Sequence, residues 1–357
     1  MKKIYEAMDF ADTAYIMQSG KVTFILSQDD KFSLEGKGII FGTEEPLIAY
    51  KMGIEDYFRF QSVFAEDDAA IDKIPRKNLY KLISIYNIGY NITKNIAKYL
   101  QITNRIYIGK EKKLSGQEMA SKEYARIYVQ VIEDLRECFA KYRIGWLSEL
   151  IEKYANSLVY TKGRAFLGGS AGPAVKFKTE ASDLNLDLNP GAILCEEGDP
   201  SREMFILNRG NLQVSIGGKK VADINEVGTV IGEMALLLGE KRTATIKAVT
   251  GCNITIIRPE NLEEVATKDK DFLLNMAVNL GKRLEHNCTL IRETNEILRE
   301  SMDSEVPVPP KERNNYRELL KMVSELDQYE MKYKNDWMIA LLKKTKQDVG
   351  RVREMYG

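Results

Sequence analysis

The chain has 357 residues, and at about 150 residues per domain that length predicts two or three domains. It is 44% hydrophobic and 29% charged, with 25 Gly and 9 Pro, which excludes disorder, collagen-like repeats and an uninterrupted coiled coil. Its 52 Lys plus Arg balance its 52 Asp plus Glu, so the positive excess of a general nucleic-acid or anionic-membrane binder is missing.

The opening, MKKIYEAMDFADT, has two lysines but no apolar core behind them and does not read as a secretory signal. No apolar run approaches the roughly 18 residues that span a bilayer, so a cytoplasmic chain with no membrane partner is expected. Short strand-like runs and turns follow as far as about residue 75, and a helical pattern runs from Arg76 to about Arg105. QEMASKEYARIYVQVIEDLRECFAKY (117–142) and GWLSELIEKYANSLVY (145–160) read as two helices with Gly145 at their junction. The glycine-rich TKGRAFLGGSAGPAV (161–175) reads as a linker.

Strand patterning then returns. MFILNRGNLQVSI (204–216) alternates around an Arg-Gly-Asn turn and predicts a hairpin. GGKKVADI and TATIKAVTGCNITII continue as short β-rich runs of the kind that build a small barrel or jelly roll. After Pro259 the period changes to three and four residues, with Leu273, Met276, Leu280, Leu284, Ile291 and Leu298 on one stripe. EVPVPP (305–310) predicts a semi-rigid joint, and the tail to Gly357 reads as one or two amphipathic helices carrying Leu319, Leu320, Val323, Leu326, Trp337, Leu341 and Leu342. These helical segments leave open a homodimer formed through them. The predicted division is 1–105, 106–180, 181–304 and 305–357.

The chain repeats itself. YEAMDFADTAYIMQSGKVTFI (5–25) lies without a gap over CEEGDPSREMFILNRGNLQVSI (195–216), so that Glu6 falls on Glu196, Asp9 on Asp199, Ile16 on Ile206 and Gly20 on Gly210. The same register carries Gly38 onto Gly228 and Gly42 onto Gly232, and a slightly shorter offset puts Asn78-Leu79 on Asn261-Leu262. A repeat of this length predicts a duplicated domain rather than a solenoid.

Counts of reactive residues exclude much chemistry. His286 is the single histidine, so multi-histidine metal sites are out, and no nucleophile motif accompanies it. Cys138, Cys195, Cys252 and Cys288 are far apart and read as reduced, partly buried thiols. No enzyme, metal or cofactor is expected.

The stretch with the most to say is GEMALLLGEKRTAT (232–245). Gly232 permits close backbone approach, and Met234 to Leu238 form a short apolar helical turn with free N–H groups at its start. Arg242 arrives nine residues after Glu233. A helix start and a guanidinium together suit one phosphate, and the adjacent Glu233 carboxylate needs a different partner, such as a donating sugar hydroxyl. A plainer reading pairs Glu233 with Arg242 as a surface ion pair.

The stretch resembles the phosphate-binding cassette of the cyclic nucleotide-binding domain, and EEGDPSREMFILNRGNLQV upstream is similar to that family's strand and glycine hairpin. The resemblance covers about residues 186–300. It implies an α+β fold, here two cyclic nucleotide-binding-type β-barrel (jelly-roll) domains flanked by helices, with a helical insert and a helical C-terminal tail. It implies cAMP, or cGMP, as ligand, held by Gly232, Glu233, Met234, Ala235, Arg242, Thr243 and Ala244. Within that set Glu233 would take the ribose 2′-hydroxyl and Arg242 the cyclic phosphate. Ala235 and Thr243 would add N–H donors, and the helix after Pro259 would be a lid that signals to a protein effector.

The first copy departs from that pattern in GIIFGTEEPLIAYKMGIEDYFRF (38–60). Thr43 replaces the glutamate, Glu44 and Glu45 add negative charge, Pro46 removes a donor, and Arg59 lies too far along the chain to match Arg242. A degenerate copy that binds no cyclic nucleotide is expected. A DNA-binding regulator is disfavoured because the tail shows neither a helix-turn-helix pattern nor a basic excess. A kinase-regulatory role lacks its basic inhibitory run, and a scaffold with two inactive copies is the remaining alternative.

Overall fold

The computed structural model describes residues 1–114, 116–166, 175–178, 184–302 and 312–356. In chain order the first elements are β1 (Lys2–Tyr5), β2 (Thr13–Ser19), β3 (Lys21–Ile25), β4 (Lys31–Glu35) and β5 (Ile39–Phe41). They lead to α1 (Glu44–Met52), β6 (Ser62–Ala65), β7 (Ala70–Pro75), α2 (Arg76–Leu82) and α3 (Tyr86–Glu111). Three helices follow, α4 (Gly116–Tyr142), α5 (Gly145–Ala155) and α6 (Leu158–Phe166). The second strand-rich stretch comprises β8 (Asn185–Leu188), β9 (Ile193–Cys195), β10 (Met204–Arg209), β11 (Leu212–Ile216), β12 (Lys219–Ile224) and β13 (Val230–Ile231). It continues with α7 (Glu233–Leu238), β14 (Thr245–Ala248) and β15 (Cys252–Ile257). The remaining helices are α8 (Leu262–Lys268), α9 (Phe272–Met302), α10 (Glu312–Tyr333) and α11 (Asp336–Tyr356).

Two compact units result, Met1–Thr103 with Pro173–Glu285, and Asn104–Gly172 with His286–Gly357. The first holds four antiparallel sheets. Residues 2–75 form sheets of order β1-β6-β3-β4 and β5-β2-β7, and residues 185–257 form β12-β11-β14-β9 and β13-β10-β15-β8. Period-2 alternation in each strand turns one face inward. Phe205, Leu207 and Ile254 from one late sheet bury with Leu212, Ile246 and Ala248 from the other. In the early pair Tyr15 and Phe41 meet Tyr5 and Phe24 across the gap, with ring centroids 5.7 Å apart for Tyr5 and Tyr15 and 5.9 Å for Phe24 and Phe41.

The 204–216 hairpin does not form. β10 pairs with β13 and β15, and β11 pairs with β12 and β14, so the Arg209-Gly210-Asn211 corner carries the chain from one sheet to the other. Gly210 makes the corner at φ +106°, where a Cβ would lie 2.5 Å from Cys252 Sγ. Gly20 turns the β2–β3 corner the same way at φ +92°, against Ala69. Alternation around a glycine reports a reversal of direction, and two facing sheets satisfy it as well as a two-residue hairpin does.

The second unit is helical. Tyr128, Ile132 and Leu135 of α4 bury with Leu147 and Leu150 of α5, and with Leu319, Met322, Leu326, Met338 and Leu341 of the tail. At about 1.5–3 kcal/mol per fully buried large apolar side chain, these contacts supply the tail's hold. The single helix expected over 145–160 is two. Ser157 Oγ accepts the Tyr160 N–H at 3.1 Å, the capping bond that starts α6 two residues after α5 stops. Of the 161–175 linker, α6 takes residues to Phe166, residues 167–174 lie outside the described residues, and so does EVPVPP.

Among the described residues no helix is long and apolar enough to cross a membrane, and no cluster of three metal-ligating side chains occurs. All four cysteines are free, Cys195, Cys252 and Cys288 buried and Cys138 half-buried.

Candidate functional site

The β13–α7 turn is built on Gly232, which takes φ +84° and precedes the six-residue helix α7. The first closing bond of α7 is donated by Leu236 to the Gly232 carbonyl at 3.2 Å. The N–H groups of Glu233, Met234 and Ala235 therefore precede any intrahelical acceptor. Met234 is half-buried and Ala235 buried. Arg242 comes back over this turn from the loop before β14, and that loop is pinned at both of its main-chain groups. Its N–H donates to the Asp199 carbonyl at 2.9 Å and its carbonyl accepts the Gly198 N–H at 2.8 Å.

The Arg242 side chain points inward, 6% exposed, with its guanidinium 4.9 Å above the Phe205 ring. Nε donates to Ser201 Oγ at 3.1 Å and Nη2 to the Glu203 carbonyl at 2.6 Å. The Glu203 carboxylate stands off at 3.8 Å. Nη1 is buried and has no hydrogen-bond partner among the described residues. It faces Gly232, where an added Cβ would lie 2.0 Å from it. A buried guanidinium nitrogen without an acceptor is costly, and an anionic oxygen would satisfy it.

Glu233 does not pair with Arg242. Its carboxylate is held by Arg283 of α9, the glutamate side chain 13% exposed and the arginine half exposed. Thr243 is exposed, and Ala244 is half-buried with its carbonyl 3.9 Å from Cys195 Sγ. The structure thus brings Gly232, the first turn of α7 and Arg242 together, with Thr243 and Ala244 following at the start of β14. Sequence reading missed Ser201, Glu203 and Phe205 as the supports of Arg242, and Arg283 as the partner of Glu233. No local pattern marks Arg283, whose approach depends on how α9 packs.

Substituting Gly232 tests the contact with Nη1. Gly232→Ala is expected to displace Arg242 and to strain the left-handed turn by about 1 kcal/mol or more. Anion binding would then fall by tenfold or more, and the melting temperature by the few degrees that this strain implies, read by calorimetry and thermal unfolding of the same preparation.

The N-terminal half holds a counterpart, and it corrects the reading of Arg59. The offset that places Asn78-Leu79 on Asn261-Leu262 also places Arg59 on Arg242, and the structure agrees. Gly42 takes φ +62°, and its Cβ would lie 3.2 Å from Arg59 Nη1. The Arg59 N–H donates to the Asp9 carbonyl at 2.9 Å, and its carbonyl accepts the Met8 N–H at 2.8 Å. Spacing from the glycine misleads here because α1 has nine residues where α7 has six and the loop after α1 is also longer, and the extra residues fall before the arginine.

The surroundings of Arg59 differ. Nη1 donates to Glu45 Oε2 at 2.9 Å and to the Gly42 carbonyl at 2.8 Å, Nη2 bonds the Thr13 carbonyl, and the Tyr5 ring lies 4.3 Å below. Arg59, Glu44 and Glu45 are all within 2% of full burial. Burial first, and the neighbouring Glu45 charge second, push the Glu44 carboxyl up to about 7. Tyr99 and Tyr5 are also buried, with pKa values raised by burial first and with the Glu44 charge adding to both.

The folded state therefore holds a proton on Glu44 that the unfolded chain releases near pH 4.5. Stability contributed by that proton is present below this value and is lost as pH rises through about 7. Urea midpoints of the wild type are expected to fall more between pH 5 and pH 7.5 than those of Glu44→Gln. Equal falls would refute the assignment.

A paired-sheet β-fold that buries one arginine, its Nη1 unmet among the described residues, beside a glycine-led helical turn has the geometry to accept a small anion. Residues 186–269 match the family model described as cyclic nucleotide-binding domain, which places one such domain in the chain and includes the whole of the 232–244 site. Similar proteins include the cyclic nucleotide-gated channel of Caenorhabditis elegans, 36% identical over 81 residues, covering 21% of this chain and 11% of that protein. The cGMP-dependent protein kinase of Toxoplasma gondii is 40% identical over 62 residues, covering 17% and 6%. A solved structure of cAMP-bound PfPKA-R (141–441) aligns over 74% of this chain and 69% of that one, at 18% identity and a TM-score of 0.25. The chain spans about a tenth of the length of the curated relatives it matches first.

Proposed function

We propose that this chain is a cyclic-nucleotide receptor that does no chemistry, with cAMP as its first candidate ligand and cGMP as its second. The observation that carries the reading is the buried Nη1 of Arg242, which has no partner among the described residues and faces Gly232 within the matched domain. A cyclic phosphate there would accept from Nη1 and from the N–H groups at the start of α7. A ribose hydroxyl could then reach Glu233 only by sharing that carboxylate with Arg283. Ligand binding would thus alter the hold of α9 on the site, and α9 is the proposed lid. The exposed hydroxyl of Thr243 suits a guanine as well as an adenine ligand, which is why cGMP stands beside cAMP.

We further read the N-terminal half as a second copy of the domain that has lost its ligand. Its two sheets repeat the strand order of the later pair, β5-β2-β7 corresponding to β13-β10-β15 and β4-β3-β6-β1 to β12-β11-β14-β9. Its glycine, arginine and corner glycine repeat as well. Output would pass to a protein effector through the helical unit.

A thermal-shift series with cAMP, cGMP and cyclic dinucleotides on the full chain tests the proposal. A ligand at a hundred times its Kd should stabilise by about 2.7 kcal/mol, a shift of several degrees. No shift with any of them would overturn the receptor reading.

A further inference from the structure

We propose that the Glu45 carboxylate is a built-in ligand of the N-terminal half, occupying from the chain itself the anion position beside Arg59, so that this half is held closed without a diffusible ligand. In both halves a left-handed glycine sits against the Nη1 of its arginine. The halves differ in what else that nitrogen meets. Nη1 of Arg242 is buried with no acceptor among the described residues, whereas Nη1 of Arg59 donates to Glu45 Oε2 at 2.9 Å. The other carboxylate oxygen accepts the Phe60 N–H at 3.3 Å. Like a phosphodiester, a carboxylate offers one negative charge on two acceptor oxygens, and it suits the donors of a guanidinium edge and an adjacent main-chain N–H.

The position of Glu45 gives this arrangement a consequence for α9. Glu45 lies in the first turn of α1. α1 and the loop after it touch α9, and Asp271 just before it, at several points. A Cβ at Gly281 would meet Ile48 at 3.3 Å and Glu44 at 3.6 Å, and Lys51 pairs with Asp271 at 3.1 Å. Tyr57 donates to Glu285 at 2.7 Å. Arg283 on the same helix grips Glu233. The anchored carboxylate therefore braces the helix that contacts the open site, which gives that helix a fixed side to move against. The correspondence between the two arginines rests on reading the N-terminal half as a copy. The test uses no cyclic nucleotide, so its failure is distinct from failure of the receptor reading.

Glu45→Ala removes a group the size of acetate. In the full chain, this variant is expected to melt about 6–20 °C below the wild type in sodium chloride. Sodium acetate, or sodium phosphate, replacing chloride at constant ionic strength should restore part of that loss with a saturable dose response. The restoration should exceed any shift of the wild type, and of an Arg59→Met/Glu45→Ala double variant that still carries Arg242. Equal shifts in all three proteins, or no response of Glu45→Ala, would overturn the proposal.

Should Glu45→Ala not fold in chloride, recovery on refolding from urea in acetate but not in chloride is the supporting result, and failure in both is the opposing one. Glu45→Gln keeps the packing and removes the charge. It is expected to fold with a lowered melting temperature and no acetate response, and a wild-type melting temperature would count against a required anion.

Discussion

Arg242→Ala is expected to weaken cyclic-nucleotide binding by roughly tenfold to a hundredfold or more, because a hydrogen bond to a charged group is worth about 1.5–3 kcal/mol. The upper end applies here for two reasons. The guanidinium is 6% exposed, so water does not screen its attraction for a phosphate. It is also already oriented, with Nε on Ser201 and Nη2 on the Glu203 carbonyl, so binding need not order a long flexible side chain. Arg242→Lys keeps the charge and loses the fork, and it should retain part of the affinity. Titration calorimetry with cAMP and with cGMP checks both variants, and thermal unfolding of each preparation separates lost binding from lost folding. Equal affinities for wild type and Arg242→Ala would remove the ground for the receptor reading.

The largest expected effect on stability lies in the other half. Arg59→Ala leaves Glu44 and Glu45 buried without a cation, and breaking a buried pair from one side costs about 3–5 kcal/mol. For a unit of this size that is a fall in melting temperature of about 6–20 °C. Replacing both partners, as Arg59→Met with Glu45→Met, should cost far less, because the desolvation penalty of the charges disappears with the charges. The comparison of the single with the double variant is the informative measurement. A single variant as stable as the wild type would mean that the pair does not hold the fold.

Much of the site was legible because it is local. Gly232, the apolar turn and Arg242 fall within eleven residues, and spacing alone brings a helix start and a guanidinium to one place. The glycine register was legible for the same reason, since corners that demand positive φ leave a mark that side-chain drift does not erase. Reading failed where two arrangements satisfy one pattern. Alternation around Gly210 fits a hairpin and a sheet-to-sheet corner equally, and the pairing of β10 with β15 is decided forty residues further along. Counting from Gly42 to Arg59 failed because a longer helix and a longer loop change sequence distance without changing the end point. The break between α5 and α6 was written in Ser157, whose capping oxygen outweighs a continuous apolar stripe.

Legible in the sequence alone were a mixture of helix and sheet, a glycine-led turn followed by an arginine near residue 232, glycine corners at Gly20 and Gly210, and a single histidine. Those properties reside in composition and in neighbours along the chain. Only the tertiary structure decided that the Nη1 of Arg59 meets a carboxylate while that of Arg242 has no acceptor among the described residues, that Glu233 is held by Arg283, and that α9 touches both the turn at Gly232 and α1. Each of these depends on residues distant in the chain, 14 positions for Arg59 and Glu45 and 50 for Glu233 and Arg283, and on which buried charge finds a partner once water is excluded. Packing settles that question, and no local pattern in the chain encodes it.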